Sequence, residues 1–337
     1  MSQPQKILVR TPNWLGDLMV ATAFLRRLLK AYPKAQIDLL VKKGFEQVPL
    51  PGRGEVIPYS SKEQGVWSMA QELRERRYDR AYLLSPSYSS ALMAFLARIP
   101  ERYGLAGQWG RSLLLRPTVT SLVPPKGQHL SAEYHQLLTA SLGIEEIGSE
   151  PGLPGLSLAA GWAEGLLTGP LDLEPGFVAL APGAIYGEAK RWPYQSYLEL
   201  IHRLSEAGER VVVLGQEGDF PFDLTQGKNL TGATGLLELI ALLSRAKLLV
   251  SNDSGAMHIM AALRRPQVAI FGSTSTLWTS PTNPKARVVS LHVDCSPCFK
   301  RRCPYGHYKC LTGIGAELVF EAYLDALSEP PGPSPQD

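Results

Sequence analysis

An aspartate stands where the first predicted strand of this chain passes into the first predicted helix. The stretch "TPNWLGDLMV" follows the apolar run "KILVR" and places Asp17, after Gly16, at or near the amino end of a helix. Aspartate is a preferred N-cap and its charge suits the helix dipole, so capping is one interpretation. The other is a general base that accepts a proton from a ligand at this edge. The residues alone leave both open.

A glycine-containing loop with two cations follows the apolar run "FVALA" in the second half of the chain. The loop "APGAIYGEAKRWP" carries Gly183, Tyr186 and Lys190, and its final proline suits the first position of a helix. Glycine-rich turns, cations and the amino ends of helices together are typical of phosphate sites. We therefore predict phosphate binding here, and the alternative is a connecting loop with solvent-facing charges.

A serine, a glycine and a histidine open the helix predicted after the run "KLLVS". In "NDSGAMHIMAAL", Asp253 or Ser254 can cap the helix, and the backbone amide of Gly255 can approach an anion. His258 follows in the first turn, where it is either a core residue or a group that neutralises phosphate charge. Glu217, in "LGQEGD", either accepts hydrogen bonds from a ribose or an adenine or faces solvent. The loop "FGSTST" adds hydroxyl groups at the same predicted edge.

All the cysteines of the chain lie in one short segment, at Cys295, Cys298, Cys303 and Cys310, with His307 among them. Four sulfurs this close together could bind zinc, and the basic flanking sequence "FKRRCPYGHYKC" would stabilise thiolates. Their spacing fits poorly with the paired Cys-x2-Cys pattern of zinc knuckles. We therefore favour a loop of reduced structural thiols, with zinc binding as the alternative.

These motifs need a fold that brings the ends of several strands together. Short apolar runs alternate with helical patterns, which predicts an α/β protein with parallel, doubly wound sheets. Ligands of such sheets bind beyond the carboxyl ends of the strands, and every loop motif above except the cysteine segment follows a predicted strand. The predicted strands are residues 6–10, 37–41, 80–84, 177–181, 210–215, 247–251 and 267–272, and the predicted helices are residues 17–32, 64–77, 87–98, 193–207, 235–245 and 255–263.

The chain has 337 residues, and this length predicts two domains, each with its own core. We expect domains at 1–150 and 176–327, a Gly- and Pro-rich linker at 151–175 and a disordered tail at 328–337. Residues 1–150 carry 19 Lys and Arg against 13 Asp and Glu, which suits an anionic partner, unless the charge is only scattered over the surface. With no long apolar run and no signal peptide pattern, we expect a cytoplasmic protein.

The motifs together resemble a known family, the ADP-heptose:lipopolysaccharide heptosyltransferases of glycosyltransferase family 9. The resemblance is carried, in this order, by "ILVRTPNWLGDLMVATAFLRRLLKAYP", "APGAIYGEAKRWP", "NDSGAMHIMAAL", "FGSTST" and "CSPCFKRRCPYGHYKCLT". The "AKRWP" and cysteine segments are most similar to the heptosyltransferase II group. The segment "SPSYSSALMAFLARIPERYG" is also similar to the acceptor side of the family, although many relatives have lysine where Ser89 stands.

The resemblance implies a GT-B fold, in which two Rossmann-like domains face a central cleft and the C-terminal one holds the nucleotide sugar. It implies an inverting transfer from ADP-L-glycero-D-manno-heptose to the first heptose of the lipopolysaccharide inner core, on heptosyl-Kdo2-lipid A. Family members carry a base at the aspartate matching Asp17 and hold the nucleotide sugar around Lys190, Glu217 and residues 253–258. This acceptor allows peripheral contact with the inner membrane, and nucleic acid is not an expected partner.

Charge supports two further expectations. Many sugar-nucleotide transferases hold a divalent metal with Asp-x-Asp, and no two aspartates of this chain are two positions apart. We therefore expect transfer without a metal or another cofactor, with protein cations stabilising the leaving group. Four arginines after the acceptor-side segment are expected to guide an anionic acceptor, unless they pair with acids such as Glu101 or lie in solvated loops. They are Arg98, Arg102, Arg111 and Arg116.

Other functions stay open at this stage. One is a different sugar-nucleotide enzyme of the same fold, such as heptosyltransferase I or III or an epimerase. Another is a non-catalytic module that binds a nucleotide sugar or the lipid A core. A nicotinamide dehydrogenase is disfavoured, because the first strand is not followed by Gly-x-Gly-x-x-Gly or by a ribose-binding acid at the expected offset.

Overall fold

In a computed structural model of the protein, the described residues are 4–120, 126–144, 153–225 and 227–328. They form two compact units, one ending at Ser157 and the other starting at Leu158. Each unit contains a parallel sheet of six strands, so the predicted α/β class is confirmed. The predicted linker is described from residue 153 onward. Of the predicted tail, Ser328 is the last residue of a helix, and residues 329–337 lie outside the described part of the chain.

The first unit has a sheet in the order β3-β2-β1-β4-β5-β6, and every neighbouring pair in it is parallel. Its strands are β1 Lys6–Arg10, β2 Gln36–Lys42, β3 Val56–Tyr59, β4 Arg80–Leu83, β5 Glu101–Leu105 and β6 Thr118–Val119. Its helices are α1 Leu15–Ala31, α2 Val66–Glu75, α3 Tyr88–Leu96 and α4 Leu130–Leu142, and a short 3-10 helix spans Arg111–Leu114.

The second unit repeats this topology with the order β12-β11-β10-β7-β8-β9, again with parallel pairs throughout. Its strands are β7 Val178–Ala181, β8 Val211–Val213, β9 Lys228–Asn229, β10 Leu248–Asn252, β11 Gln267–Phe271 and β12 Ala286–Ser290. Its helices are α5 Tyr194–Glu206, α6 Leu236–Arg245, α7 Gly255–Ala262, α8 Thr276–Thr279, α9 Lys309–Thr312 and α10 Ala316–Ser328, and 3-10 turns span Gly169–Leu171 and Glu188–Lys190.

Each sheet has one point where the strand order reverses direction. In the first unit the reversal lies between β1 and β4, and in the second it lies between β7 and β10. Connections leave these two central strands toward opposite sides of the sheet, so their carboxyl ends border a crevice. Ligands of doubly wound sheets bind at this switch point. The segments that follow β1, β7 and β10 contain Asp17, Lys190 and Asp253 respectively.

The central strands are apolar on both faces because helices cover both. Leu8 packs into a core with residues of α2 and α3, while Ile7 and Val9, on the opposite face of β1, are also fully buried. In the second unit, Trp192 and Tyr197 are buried against Val178, Val213 and their neighbours. Continuous apolar runs of this kind are typical of strands in covered parallel sheets, which explains why the central strands were predictable.

No helix in the described ranges combines the length and the apolar character that crossing a membrane requires.

Candidate functional site

Asp17 lies at the switch point of the first sheet, in the first turn of α1. The N-cap position is occupied by Trp14, and Asp17 follows three residues later, so it is not the capping residue itself. Its carboxylate lies near Tyr134 of α4, whose pKa is raised well above its usual value by burial first and by the negative charge of Asp17 second. An acid in the first turn still interacts favourably with the helix dipole.

The loop that leads to Asp17 is fixed by a buried arginine. Arg10, the last residue of β1, donates hydrogen bonds to the carbonyl oxygens of Thr11 at 2.8 Å and Leu40 at 3.1 Å, and to Asn13 Oδ1 at 2.6 Å. Its guanidinium also lies over the ring of Tyr59. Burial lowers the pKa of Arg10 to about 10, and the nearby Tyr59 offsets part of this shift. The start of α1 is therefore held in a defined position relative to the sheet.

A second buried arginine anchors the loop between β5 and β6. Arg111 donates to the carbonyl oxygens of Leu105 at 3.1 Å, Leu83 at 3.4 Å and Ser87, and to Ser90 Oγ at 2.9 Å. The side chain has no exposed surface, and burial lowers its pKa to about 10. Arg111 is thus a structural cation that ties the segment after β4 to the segment after β5 at the carboxyl edge of the sheet.

The loop that Arg111 anchors presents apolar side chains to solvent. Trp109 is 98% exposed and Leu113 is 87% exposed, while Tyr88, at the start of α3, is 40% exposed. Tyr88 N donates to the side chain of Gln108 at 2.8 Å, which joins α3 to the same loop. Ser89, where many relatives have lysine, is also exposed, and its hydroxyl bonds Ser87 Oγ at 3.3 Å.

Of the four arginines that were expected to guide the acceptor, three do not lie at this edge, and Arg111, which does, has no exposed surface. Arg98 precedes β5, Arg102 is its second residue, and Arg116 pairs with Arg102 through an isolated antiparallel bridge, so all three lie at the amino edge of the sheet. Arg111 is buried. The expectation is therefore wrong, because β5, which was not predicted, directs this segment to the edge opposite Asp17.

Lys190 and Asp253 meet at the switch point of the second sheet. Lys190 Nζ lies 2.5 Å from Asp253 Oδ2, and the two side chains are 13% and 3% exposed. The same carboxylate oxygen accepts a hydrogen bond from the Thr274 hydroxyl at 2.6 Å, and His258 Nε2 lies 4.0 Å from the other oxygen. The loops after β7, β10 and β11 therefore converge on one buried carboxylate. The sequence analysis did not single out Thr274, although it noted the hydroxyl groups of the FGSTST loop that contains this residue.

Tyr186 links the Lys190 loop to the cysteine segment. Lys190 Nζ lies 4.8 Å from the centre of the Tyr186 ring, and the Tyr186 hydroxyl donates to the carbonyl oxygen of Phe299 at 2.6 Å. Ala189 N donates to the carbonyl oxygen of Arg301 at 3.0 Å. These contacts fix the loop, and a cation over an aromatic face is itself stabilised.

A buried aspartate that was not singled out from the sequence shapes the loop after β8. Asp219 Oδ1 lies 3.1 Å from Arg191 Nη2, and Asp219 Oδ2 accepts from Gln216 N at 2.9 Å. A Cβ atom at residue 183 would overlap the Asp219 carboxylate, so Gly183 is required by this packing. Glu217, in contrast, is exposed. Only the pattern "LGQEGD" could have pointed to Asp219, and it does not distinguish the two acids.

The amino end of α7 lies beside the Lys190–Asp253 pair. Ser254 occupies the N-cap position but makes no side-chain cap, and Gly255 is the first helical residue. Among the described residues, the buried hydroxyls of Ser254 and Ser273 have no hydrogen-bond partner. His258 is buried in the first turn, at 7% exposure. Helix amides and unpartnered hydroxyls provide donors that an anionic ligand would satisfy.

The four cysteines are free thiols with different environments. Cys310 is buried, and its pKa is raised by burial and by the proximity of Cys295, Cys298 and Cys303. Burial also acts to raise the pKa of Cys303, but hydrogen bonds from the backbone of residues 305–308 together lower it. Cys303 Sγ lies 4.0 Å from Nδ1 of His307.

Within the described ranges, no three His, Cys, Asp or Glu side chains are arranged to hold a metal ion. The cysteine segment instead packs on the loops of the candidate site. Phe299 N donates to the carbonyl oxygen of Ser273 at 2.7 Å, and the Ser296 hydroxyl donates to that of Gly272 at 2.5 Å. Its observed contacts are therefore structural.

The chain is similar to known proteins in both sequence and structure. Residues 66–309 match the family model of glycosyltransferase family 9 (heptosyltransferase). The chain is 33% identical to lipopolysaccharide heptosyltransferase 2 of Salmonella typhimurium, over 96% of this chain and 99% of the relative, and 33% identical to that of Escherichia coli K12, over 96% and 98%. The solved structure of E. coli ADP-heptose lps heptosyltransferase II matches with a TM-score of 0.80 at 30% identity, over 96% of this chain and 98% of that one. The chain therefore belongs to glycosyltransferase family 9, the heptosyltransferases.

Proposed function

We propose that the chain transfers heptose from ADP-L-glycero-D-manno-heptose to the first heptose of the lipopolysaccharide inner core. Relatives named lipopolysaccharide heptosyltransferase 2 match almost the whole chain, which favours this acceptor over those of other family members. The observation that carries the proposal is the convergence of Lys190, Asp253 and the amino end of α7 at the switch point of the second sheet.

The second unit holds the nucleotide sugar in this proposal. Lys190 and the amides at Gly255 bind the diphosphate, and the hydroxyl of Ser254 donates a further hydrogen bond. His258 adds positive charge when it is protonated. Glu217 accepts hydrogen bonds from the nucleoside, since it lies at the carboxyl edge beyond β8 and is exposed. Gly183 and Tyr186 act through the loop, because one leaves room for Asp219 and the other lies beneath the Lys190 ammonium.

Asp17 is the general base of the proposed reaction. It accepts the proton of the acceptor hydroxyl while that oxygen forms a bond to the anomeric carbon and the bond from this carbon to the diphosphate breaks. Attack from the face opposite the leaving group inverts the anomeric centre. Proton transfer to a positioned carboxylate typically contributes a factor of about 10² to 10⁴ in rate. The position of Asp17 at a switch point, in a partly exposed first turn, supports this role.

Departure of ADP adds negative charge to the diphosphate, and protein groups stabilise it in the proposed mechanism. Lys190 and the dipole of α7 favour charge that develops in the transition state. The chain has no Asp-x-Asp, the pattern with which many sugar-nucleotide transferases hold a divalent metal. We therefore propose transfer without a metal cofactor, at the cytoplasmic face of the membrane that carries the acceptor.

The test is incubation of the purified protein with ADP-heptose and a core acceptor that ends in one heptose, followed by mass spectrometry. We expect a mass increase of one heptose, undiminished in excess EDTA. An acceptor without that heptose serves as the matched control and should stay unmodified. Transfer to the heptose-free acceptor would overturn the acceptor assignment, and activity lost in EDTA and restored by Mg²⁺ would overturn the metal-free mechanism.

A further inference from the structure

A groove of about 1610 Å³ lies along the amino edge of the sheet in the first unit. Its lining includes Pro4 before β1, the first residues of β4 and β5, and the carboxyl ends of α1 and α4. The chain enters its parallel strands at this edge, whereas Asp17 and the proposed acceptor site lie where it leaves them. The groove is therefore separate from the site described above.

The groove has an excess of positive charge. Its one described acid, Glu101, is already paired, since its carboxylate lies 2.5 Å from the buried guanidinium of Arg80. Three of the lining arginines are exposed and form no ion pair with any acid that the structure describes, namely Arg74, Arg98 and Arg116. The lining arginines are Arg74, Arg80, Arg98, Arg102 and Arg116.

Two of these arginines are neighbours across a backbone bridge. Arg102 and Arg116 face one another across their antiparallel bridge, and the guanidinium of Arg102 is held by the carbonyl oxygens of Leu114 at 2.7 Å and of Ile99. The pKa of Arg102 is lowered by burial first and by the positive charge of Arg116 second, as expected for two neighbouring cations with no described acid between them. A bound anion would offset the repulsion between these cations, and a planar guanidinium can give a phosphate two parallel hydrogen bonds.

Aromatic side chains border the arginines. Arg102 lies 5.5 Å above the ring of Phe95, which is 46% exposed, and Trp67 on α2 is 73% exposed. A ligand of this groove therefore meets apolar surface beside the cations. That combination suits a phosphate group attached to a less polar body, because each part then has a matching surface.

We propose that this groove binds a phosphate-bearing anion, with Arg98, Arg102 and Arg116 as its ligands. The site is independent of the transfer reaction. The anion is either a soluble phosphorylated molecule or the headgroup of a phosphorylated lipid, which present the same chemistry to the arginines.

The binding test is calorimetric titration with inorganic pyrophosphate at low ionic strength, on the full chain saturated with ADP, which occupies the diphosphate site proposed in the second unit. The groove variant combines Arg98→Asn with Arg116→Gln, and asparagine is chosen because residue 98 has a φ of 57°, which asparagine tolerates. The control combines Lys42→Ala with Lys62→Ala, which removes two positive charges from the same unit outside the groove. We expect Kd to rise about tenfold or more in the groove variant only, as loss of charge-assisted hydrogen bonds implies. An equal Kd in the wild type and the groove variant would overturn the site.

A flotation assay separates the two sources of phosphate. Vesicles of phosphatidylglycerol should bind the wild type more than the groove variant if the anion is a lipid headgroup, while phosphatidylcholine vesicles should bind neither. Pyrophosphate binding without a vesicle difference would assign the site to a soluble phosphate. Transfer to an acceptor without acyl chains should have the same kcat and KM in both proteins. A raised acceptor KM in the groove variant would place these arginines in the acceptor site and contradict the proposal.

Discussion

The ammonium of Lys190 lies 2.5 Å from the carboxylate of Asp253, and this pair is almost entirely buried. The positive charge proposed for the diphosphate is therefore balanced by a carboxylate before any ligand binds. Removing one member of a buried pair leaves the other uncompensated, and this is costly. The two residues should consequently behave as a unit rather than as independent ligands.

We predict that Lys190→Ala weakens ADP binding by more than the loss of one contact, because the unpaired Asp253 carboxylate then repels the diphosphate. The double variant Lys190→Ala with Asp253→Asn should bind ADP more tightly than Lys190→Ala alone. Calorimetry on both variants, on Asp253→Asn alone and on Lys190→Arg, which keeps the charge, provides the comparison. Additive losses of binding free energy would show that the pair is not coupled.

Asp17→Asn should lower kcat by about two orders of magnitude or more if the carboxylate is the base. The change keeps the shape of the side chain, and Trp14 rather than Asp17 holds the N-cap position, so the helix should stay in place. ADP-heptose affinity should change little, because the nucleotide loops belong to the other unit. Steady-state kinetics and thermal melting on one preparation distinguish a catalytic base from a residue that only stabilises the helix. A variant with full activity and a lower Tm would exclude the base role.

Arg111→Ala should destabilise the first unit by about 3 kcal/mol, because the oxygens that accept from the guanidinium lose this donor and the fully buried side chain leaves a cavity. Arg116→Ala, at an exposed position in the same segment, should change the free energy of unfolding by about 0.5 kcal/mol or less. Urea denaturation of both variants measures the difference. Similar losses for the two would mean that the four hydrogen bonds of Arg111 contribute little.

His135 on α4 should make stability depend on pH. Its pKa is lowered to about 4 by burial first and by the charge of Arg27 second, against an ordinary value near 6.5. The unfolded chain therefore binds the proton more readily, so the stabilisation is complete above pH 6.5 and is lost as the pH falls toward 4, by up to about 3 kcal/mol.

The measurement is the free energy of unfolding in urea at pH 7, 6 and 5, for the wild type and His135→Gln. The difference between the two proteins isolates this residue from the carboxylates that titrate in the same range. We expect the wild type to lose more stability than the variant on acidification. Parallel pH profiles would assign the acid sensitivity to other groups.

The thiols should react with iodoacetamide at different rates near neutral pH. Cys303 should react first, because its lowered pKa gives more thiolate, and Cys310 last, because it is buried and its pKa is raised. Digestion and mass spectrometry after timed labelling give the order. Labelling in urea is the control, in which the rates should become similar. Equal rates in the native protein would contradict these environments.

The sequence predicted seven strands that carry continuous apolar runs, and it missed β3, β5, β6, β9 and β12. β5, "ERYGL", mixes charged and apolar residues, and β6 and β9 contain two residues each. Missing β5 also led to a wrong prediction about the acceptor site. Without β5, the segment around Arg98 and Arg102 was placed on the acceptor side, whereas the strand turns it to the opposite edge.

Site residues that follow strands were easier to predict than residues that act through distant partners. Asp17, Lys190 and Asp253 each follow an apolar run, so the topology alone brings them to the switch points. Nothing local in the sequence indicates that Arg111 bonds the segments after β4 and β5, or that Asp219 requires a glycine at 183. Such roles depend on contacts between residues far apart in the chain.

The anchoring of the loop by Arg111 also bears on the entropy of binding. A solvent-exposed loop normally loses conformational freedom when a ligand orders it, at a cost of about 1–2 kcal/mol for each residue fixed. Arg111 already holds this loop through four hydrogen bonds, so Trp109 and Leu113 are in position before any ligand arrives. A ligand that covers them meets a preorganised surface, and most of the free energy of burying their apolar area can appear as affinity.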